Sequence, residues 1–216
     1  MVICQRLLNT TRRPYQINFM YTVILPNWNS NGVIPPIDEQ QPISVERSPY
    51  LVSLTDFVLR FGRTQERISV LNGFLRYRAA LHSVGLVSGF QWLDGSFLEH
   101  VELLESRPPN DIDVVTFFEL PAGKTQLDLQ SQAPDLFPAT RSAQLTLKNT
   151  YHVDAYLEYL GKAPARLVRQ SSYWYSMWSH RRNQSWKGYI QIDLAPIEDL
   201  TALAALANYS VGSIHP

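Results

Sequence analysis

The sequence carries LDGSF at residues 93–97, NDIDVV at residues 110–115 and HVDAY at residues 152–156, and the order of these three segments indicates the fold. Each segment combines the apolar residues of a buried strand with polar residues close by. Asp111 and Asp113 are separated by one residue, so on a strand their side chains point to the same face. The pattern therefore predicts a sheet that collects carboxylates on one face.

These paired aspartates suit a divalent metal ion. Two carboxylates beside the apolar Ile112 and Val114 repel each other unless a cation joins them. Mg²⁺, or Mn²⁺ in its place, prefers such oxygen ligands and completes its shell with substrate phosphates and water. If it lies on a neighbouring strand, Asp154 would add a third carboxylate and complete a two-metal site for in-line phosphoryl or nucleotidyl transfer. The sequence therefore predicts Asp111, Asp113 and Asp154 as metal ligands and catalytic residues.

Each aspartate also has a purely structural interpretation. Asp111 follows Pro-Pro-Asn and suits a turn or a helix cap. Asp113 suits the solvated side of an edge strand, and Asp154 is a lone acid of the kind that many strands carry. The Asp-x-Asp pair alone is a weak signal. The prediction therefore depends on all three aspartates together with the Gly-Ser pair before them.

Helical and strand patterns around these segments predict an α+β domain, with a small mixed sheet flanked by helices. Thr64 is suited to cap a helix that ends at Gly85. Ser48-Pro49 is suited to begin the helix before it, because a capping residue precedes a first-turn proline. Residues 121–138 are predicted to be a loop. The other predicted helices cover residues 97–104, 139–149, 164–178 and 196–207, and the predicted strands cover residues 86–93, 112–120, 151–159 and 189–194.

Length and composition fit one domain that follows an N-terminal arm. The chain has 216 residues, of which 45% are apolar and 18% are charged, and this composition is sufficient to bury a core. Residues 1–49 are predicted to be a proline-rich arm, because repeated prolines prevent a long helix there. Residues 50–216 are predicted to form the single domain.

Charge and cysteine content exclude several classes of protein. Basic and acidic residues both number 19, so no net charge draws the chain to nucleic acid or to anionic lipid. Cys4 is the only cysteine, which excludes a disulfide framework and a cysteine-based zinc site and fits a reducing cytoplasm. No apolar run approaches the roughly 20 residues that span a bilayer. We expect a cytoplasmic protein with no membrane partner.

The order of these features resembles the DNA-polymerase-β-like nucleotidyltransferase superfamily, in which an apolar strand and Gly-Ser precede Asp-apolar-Asp and a later strand aspartate. This likeness covers about residues 64–195. A narrower likeness, to an uncharacterised prokaryotic nucleotidyltransferase-like family, rests on QWLDGSF at 91–97, PNDIDV at 109–114, RSPY at 47–50 and WKGY at 186–189. The resemblance implies a minimal nucleotidyltransferase fold.

The resemblance also implies roles for individual residues. Asp111 and Asp113 would ligate metal ions, and Asp154 would complete the site near the acceptor hydroxyl. Gly95 and Ser96 would offer backbone amides and the serine hydroxyl to the β- and γ-phosphates of a nucleoside triphosphate, as an anion-binding turn at a helix start. These two residues are the predicted phosphate-binding residues.

The charges near this turn are distributed unevenly. Residues 94–119 hold seven acids against one base, whereas residues 141–187 hold eight bases against two acids. Three of the acids directly follow the Gly-Ser pair, where the resemblance leads us to expect basic residues: Glu99, Glu102 and Glu105. Three basic residues are candidates to take that role: Arg67, Arg141 and Lys148.

We therefore expect an Mg²⁺-dependent nucleotidyltransferase that moves a nucleoside monophosphate from an NTP onto a hydroxyl of a protein or an RNA. By analogy with related folds, a toxin–antitoxin or antiviral defence module is the expected setting. The alternative is a non-catalytic module of the same fold that binds a nucleotide or a partner protein. A third interpretation is RNA binding through the aromatic and basic C-terminal third, which includes Tyr173, Trp174, Tyr175, Trp178, Arg181, Arg182, Trp186 and Lys187.

Overall fold

The computed structural model describes residues 25–212, and five strands form one sheet within them. The strands are β1 (Tyr50–Leu51), β2 (Gly89–Asp94), β3 (Ile112–Phe118), β4 (Val153–Tyr159) and β5 (Ile190–Asp193). Their order across the sheet is β1-β5-β2-β3-β4. Strand β2 is antiparallel to both β3 and β5, whereas β4 is parallel to β3 and β1 is parallel to β5. The sheet is therefore mixed, as the sequence predicts.

Seven α-helices accompany this sheet in the described part of the chain, which confirms the predicted α+β class. The helices are α1 (Leu54–Phe61), α2 (Gln65–Ser83), α3 (Val101–Glu105), α4 (Gln126–Gln132), α5 (Arg141–Tyr151), α6 (Pro164–Trp178) and α7 (Asp199–Gly212). Short 3-10 turns cover Ser96–Leu98 and Pro134–Leu136.

The register of the strands brings carboxylates from three strands side by side. Asp94 of β2 lies opposite Asp113 of β3, and Asp113 lies beside Asp154 of β4. Side chains opposite one another on neighbouring strands share a face, with their Cβ atoms about 4.5–5.5 Å apart. Asp111 comes two residues before Asp113, so strand alternation directs it to that face as well.

The two faces of the sheet are covered differently. On the face away from the aspartates, Arg78 of α2 is fully buried and donates to Gln91 of β2 over 2.7 Å. On the aspartate face, Trp174 of α6 lies 4.9 Å from the ring of Tyr156. Tyr156 nevertheless keeps 43% of its surface exposed. Helix α6 therefore leaves this face partly open beside the aspartates.

Local capping signals give the correct start of one helix but miss another. The side chain of Thr64 accepts a hydrogen bond from the backbone N–H of Arg67, which confirms it as the cap of α2. Helix α4 lies inside residues 121–138, where a loop is predicted, so that prediction is wrong. Its first turn is stabilised by a capping box in which Thr125 and Asp128 each bond the other's backbone N–H. Most other predicted elements occur with bounds that differ by a few residues.

The predicted helix start at Ser48-Pro49 is also wrong. Residues 50–51 form strand β1, and helix α1 begins only after Ser53, whose side chain caps it. The backbone N–H of Tyr50 donates to Tyr189 over 3.0 Å, and that of Val52 donates to Gln191 over 2.9 Å. Pairing with a distant strand therefore prevails over the local helix-start signal.

The described part of the predicted arm contacts the core. Ile34 is buried in the core, and Trp28 donates from its indole N–H to the carbonyl oxygen of Leu98 over 2.6 Å. The boundary at residue 49 stays a prediction, and residues 1–24 lie outside the described residues. Among residues 25–212, no helix combines the length and the apolar character needed to cross a membrane.

Candidate active site

Three of the predicted site residues come together at the edge of the sheet where β3 and β4 begin. Asp111 and Asp113, at the start of β3, and Asp154, at the start of β4, each offer one carboxylate oxygen, and these oxygens all lie within 4.8 Å of one another. We call these three residues the carboxylate cluster. Each is only partly buried, so the cluster is accessible from solvent. Its oxygens are ligands of the kind that Mg²⁺ and Mn²⁺ take in proteins.

A fourth aspartate adjoins the cluster and lies outside the set of site residues that the sequence predicts. Asp94 ends β2 opposite Asp113 and is buried, with 3% of its surface exposed. Its carboxylate lies 3.0 Å from the ammonium of Lys187, which is itself buried and lies 3.1 Å from Glu99. Burial raises the pKa of Asp94 to about 6, although Lys187 opposes the shift. Asp94 therefore adds to the negative charge around Asp113.

Asp113 is the most electrostatically strained of the four aspartates. Burial, and then the charges of Asp94, Asp111 and Asp154, together raise its pKa to about 7. None of the described residues forms an ion pair with Asp113, whereas the other three aspartates each face a lysine. A group in this position favours a proton or a cation close by.

Helix α5 holds one side of the carboxylate cluster. The ammonium of Lys148 contacts Asp111 and lies 3.6 Å from Asp154. One turn earlier on the same helix, Gln144 donates to Asp154 over 3.1 Å and to the carbonyl oxygen of Ala155 over 2.9 Å. The neighbouring carboxylates raise the pKa of Lys148, although burial opposes the shift, so it stays charged. Lys148 is therefore a partial counter-ion of the cluster.

The predicted phosphate-binding residues form a tight turn against Asp113. Gly95 has a φ of 90°, in the region that favours glycine. A Cβ atom at this position would lie 2.9 Å from the Asp113 carboxylate oxygen, so a side chain there would displace the carboxylate. Ser96 follows at the start of a 3-10 turn and is partly exposed. The structure thus places the Gly-Ser turn (Gly95 and Ser96) in contact with the carboxylate cluster.

The acids that follow the Gly-Ser turn are all paired with bases. Glu99 contacts Lys187 and Arg181 over 3.1 Å each. Glu102 takes two hydrogen bonds from the buried Arg67, at 2.6 and 2.9 Å. The third acid, Glu105, is paired with Arg107 and Arg181. Because each acid is neutralised locally, the acidic segment leaves less net negative charge near the Gly-Ser turn than the sequence indicates.

The C-terminal aromatic and basic residues are distributed differently from a nucleic-acid surface. Trp174, Trp178 and Lys187 are buried in the fold. Arg181 forms ion pairs with Glu99 and Glu105. Among the aromatic residues of this group, Trp186 is the most exposed, at 63%. The buried members serve the core and the ion pairs, which weakens the RNA-binding interpretation.

Aromatic side chains of β4 and α6 lie on the same face of the sheet as the carboxylate cluster. Tyr156 lies two residues after Asp154 on the same face of β4, and Tyr173 lies 5.1 Å from Trp174, ring to ring. Burial, and then the charges of Asp154 and Asp113, raise the pKa of the Tyr156 hydroxyl. Exposed aromatic rings can stack a planar group.

Comparison with known proteins identifies one family. A family model described as "Family of unknown function (DUF6932)" matches residues 26–193, which include the whole carboxylate cluster and the Gly-Ser turn. No curated protein and no solved structure matches the chain significantly.

Proposed function

The chain belongs to the family of unknown function DUF6932, and we propose that it is a nucleotidyltransferase that depends on Mg²⁺ or Mn²⁺. Its reaction would transfer a nucleoside monophosphate from an NTP to a hydroxyl group and release pyrophosphate. One observation carries this proposal: three carboxylates converge within 4.8 Å beside a glycine-serine turn that contacts one of them. The resemblance of the sequence to nucleotidyltransferases supports the same assignment.

The residues present fit a divalent ion. Asp111, Asp113 and Asp154 offer hard oxygen ligands, and Asp113 lacks an ion-pair partner among the described residues. These three residues would hold the metal. When bound, a divalent ion would supply positive charge to the triphosphate and to the acceptor oxygen.

The chain's own residues account for orientation and proton transfer. The backbone amides of the Gly-Ser turn would bind the β- and γ-phosphates, and the Ser96 hydroxyl would donate to the same oxygens. The acceptor oxygen attacks the α-phosphorus and forms a new P–O bond. The bond from the α-phosphorus to the oxygen that bridges to the β-phosphate breaks, and pyrophosphate leaves with that oxygen and its electron pair. The hydroxyl proton passes to the carboxylate of Asp154, the more exposed of the two aspartates that face Lys148, at 28% against 17% for Asp111.

A protein or an RNA is the acceptor that we propose. The sheet face beside Asp154 is partly open, and the exposed Tyr156 offers a ring on which a base or an aromatic side chain can stack. By analogy with related folds, we place the activity in a toxin–antitoxin or antiviral defence module. The single cysteine suits a reducing cytoplasm.

The second candidate is a non-catalytic module that binds a nucleotide or a partner protein. Lys148 favours it, because its ammonium already contacts Asp111 and lies close to Asp154. An ammonium in this position neutralises part of the negative charge of the cluster without a metal ion. A module that binds no metal would need such a counter-ion to keep the aspartates together. The two candidates differ in whether metal-dependent nucleotide binding is followed by transfer.

The decisive experiment is titration calorimetry with each NTP, with and without Mg²⁺ or Mn²⁺, on wild type and Asp113→Asn. The matched control is Asp135→Asn, which removes an exposed acid from the 3-10 turn at residues 134–136. Metal-dependent binding that Asp113→Asn abolishes and Asp135→Asn leaves intact supports the site. Label transfer from an α-labelled NTP to a protein or RNA hydroxyl then separates the enzyme from the module. Absence of NTP binding by wild type contradicts the enzyme and the nucleotide-binding form of the module.

A further inference from the structure

A pocket of about 410 Å³ lies beside the chain segment that follows the Gly-Ser turn, and it shares no residue with the carboxylate cluster. Its size falls within the range of small-molecule sites, about 300–1,000 Å³. Trp28 and His100 form one wall, where their rings stack with centroids 4.5 Å apart. We call this cavity the Trp28 pocket.

The Trp28 pocket carries unbalanced positive charge. Three arginines line it, Arg60, Arg63 and Arg67, and Glu102 is the only acid among its lining residues. Arg67 holds Glu102 in a bidentate pair and donates its remaining hydrogen bonds to backbone carbonyls. Across residues 25–212, no carboxylate pairs with Arg60 or Arg63. Two guanidinium charges in this pocket are therefore left without a counter-ion from the described chain.

Arg60 lines the Trp28 pocket, and one of its N–H donors has no hydrogen-bond acceptor. Its guanidinium carbon lies 4.8 Å from the centre of the Trp28 ring. Its Nε atom is buried and has no hydrogen-bond acceptor. Burial, and then the charges of Arg63 and Arg67, lower the pKa of Arg60. A buried donor without an acceptor is unfavourable, and a bound anion would relieve both this and the repulsion among the arginines.

We propose that the Trp28 pocket binds a phosphate group of a small molecule, with Arg60 and Arg63 as the residues that contact its oxygens. Two guanidinium groups match the two negative charges of a phosphomonoester, whereas a carboxylate carries only one. The planar fork of arginine donates paired hydrogen bonds to phosphate oxygens, which a lysine cannot reproduce. The argument for this site does not rest on the proposed nucleotidyl transfer.

Hydrogen bonds connect the Trp28 pocket to the chain segment that follows the Gly-Ser turn. Residues 97–99 directly follow that turn. Their three carbonyl oxygens accept hydrogen bonds from pocket residues: Arg67 donates to Phe97 and Glu99, and Trp28 donates to Leu98. A ligand that shifts Arg67 or Trp28 therefore acts directly on the backbone that positions Ser96.

The test is calorimetric titration of the metal-free protein in EDTA with phenyl phosphate, inorganic phosphate and benzoate. EDTA removes divalent ions, so binding through a metal at the carboxylate cluster does not contribute. We expect Arg60→Gln and Arg63→Gln each to weaken phosphate binding by about tenfold or more, since each removes a charge-assisted contact. The control is Arg169→Gln, which removes the same charge from an exposed position on α6 and is expected to leave binding unchanged.

The ligands distinguish the sources of the phosphate. Tighter binding of phenyl phosphate than of inorganic phosphate assigns the site to a phosphate ester, and equal binding assigns it to the free ion. Benzoate is expected to bind at least about tenfold more weakly than phenyl phosphate, because it carries half the charge. Absence of phosphate binding at about 10 mM by wild type, or equal affinity in folded Arg63→Gln, overturns the proposal. Arg63 is exposed, so this variant is expected to fold even if Arg60→Gln does not.

Discussion

Asp113→Asn is expected to stabilise the protein in the absence of divalent ions at neutral and alkaline pH. Burial and three neighbouring aspartates raise the pKa of Asp113 from 3.8 to about 7. At about 1.36 kcal/mol for each unit of pKa, ionising this group in the folded state costs at most about 4 kcal/mol more than in the unfolded chain. Asparagine has nearly the same shape and no charge, so the substitution removes this cost.

The direction of the pH dependence follows from the raised pKa. Below about pH 4 the carboxyl group is protonated in both states, and its contribution to stability is fully present. Between about pH 4 and pH 7 the folded state keeps the proton that the unfolded chain has lost, so the free energy of unfolding falls as the pH rises. Above about pH 7 the contribution is gone. The pKa of Asp94, raised to about 6, adds a smaller fall in the same direction.

The assay is urea unfolding in EDTA at about pH 5 and about pH 8 for wild type, Asp113→Asn and the exposed control Asp135→Asn. At about pH 8 we expect Asp113→Asn to exceed wild type by about 1–4 kcal/mol, and at about pH 5 we expect less than half of that difference. Mg²⁺ or Mn²⁺ at the higher pH is expected to stabilise wild type and the control but not Asp113→Asn. A wild type whose stability does not fall with pH, or an Asp113→Asn protein no more stable at the higher pH, refutes the electrostatic argument.

Three further substitutions address other parts of the site. Gly95→Ala is expected to destabilise the fold by about 1–2 kcal/mol and to weaken NTP binding, because its Cβ atom would meet the Asp113 carboxylate at a φ of 90°; unchanged NTP affinity in calorimetry would contradict this. Lys148→Gln is expected to tighten Mn²⁺ binding by about tenfold, because an ammonium no longer competes for Asp111 and Asp154; equal or weaker Mn²⁺ affinity would show that Lys148 does not compete. Asp154→Ala is expected to keep most of the affinity for the NTP–metal complex and to lose at least about 10²-fold in single-turnover transfer; normal transfer would reduce the catalytic set to Asp111 and Asp113.

Local signals in the sequence predict those elements that are stabilised by their own residues. Pro164 occupies the first turn of α6, and the predicted bounds of that helix, Pro164–Trp178, agree with the structure. Ser48-Pro49 carries an equally good helix-start signal, yet the next residues pair with β5, some 140 positions later in the chain. Nothing near Tyr50 encodes that partner. The chain thus follows local propensity only where no distant strand competes for the same backbone.

In the candidate site too, local spacing predicts some of the residues, and others depend on contacts that only the fold creates. The spacing of Asp111 and Asp113 already places both side chains on one face, and Asp154 needs only a neighbouring strand to join them. Asp94 was not predicted as a site residue because its relation to Asp113 depends on a strand register that the sequence between them does not fix. Its partner Lys187 lies 93 positions away in sequence, in a basic segment that suggests a surface. Only the fold shows that this lysine is a buried counter-ion.

The charges around the site limit how many ions the protein alone can hold. Once all four aspartates are ionised, as they are above about pH 7, they bring four negative charges, and Lys148 and Lys187 each contribute one positive charge at close range. Lys187 also faces Glu99, but Arg181 offsets that acid. The excess is therefore two negative charges, centred on Asp113, which one divalent cation balances. A second cation would need further negative charge, which a nucleoside triphosphate would supply under the proposed function. The arrangement therefore favours one ion held by the protein alone and another that would arrive with a bound nucleotide.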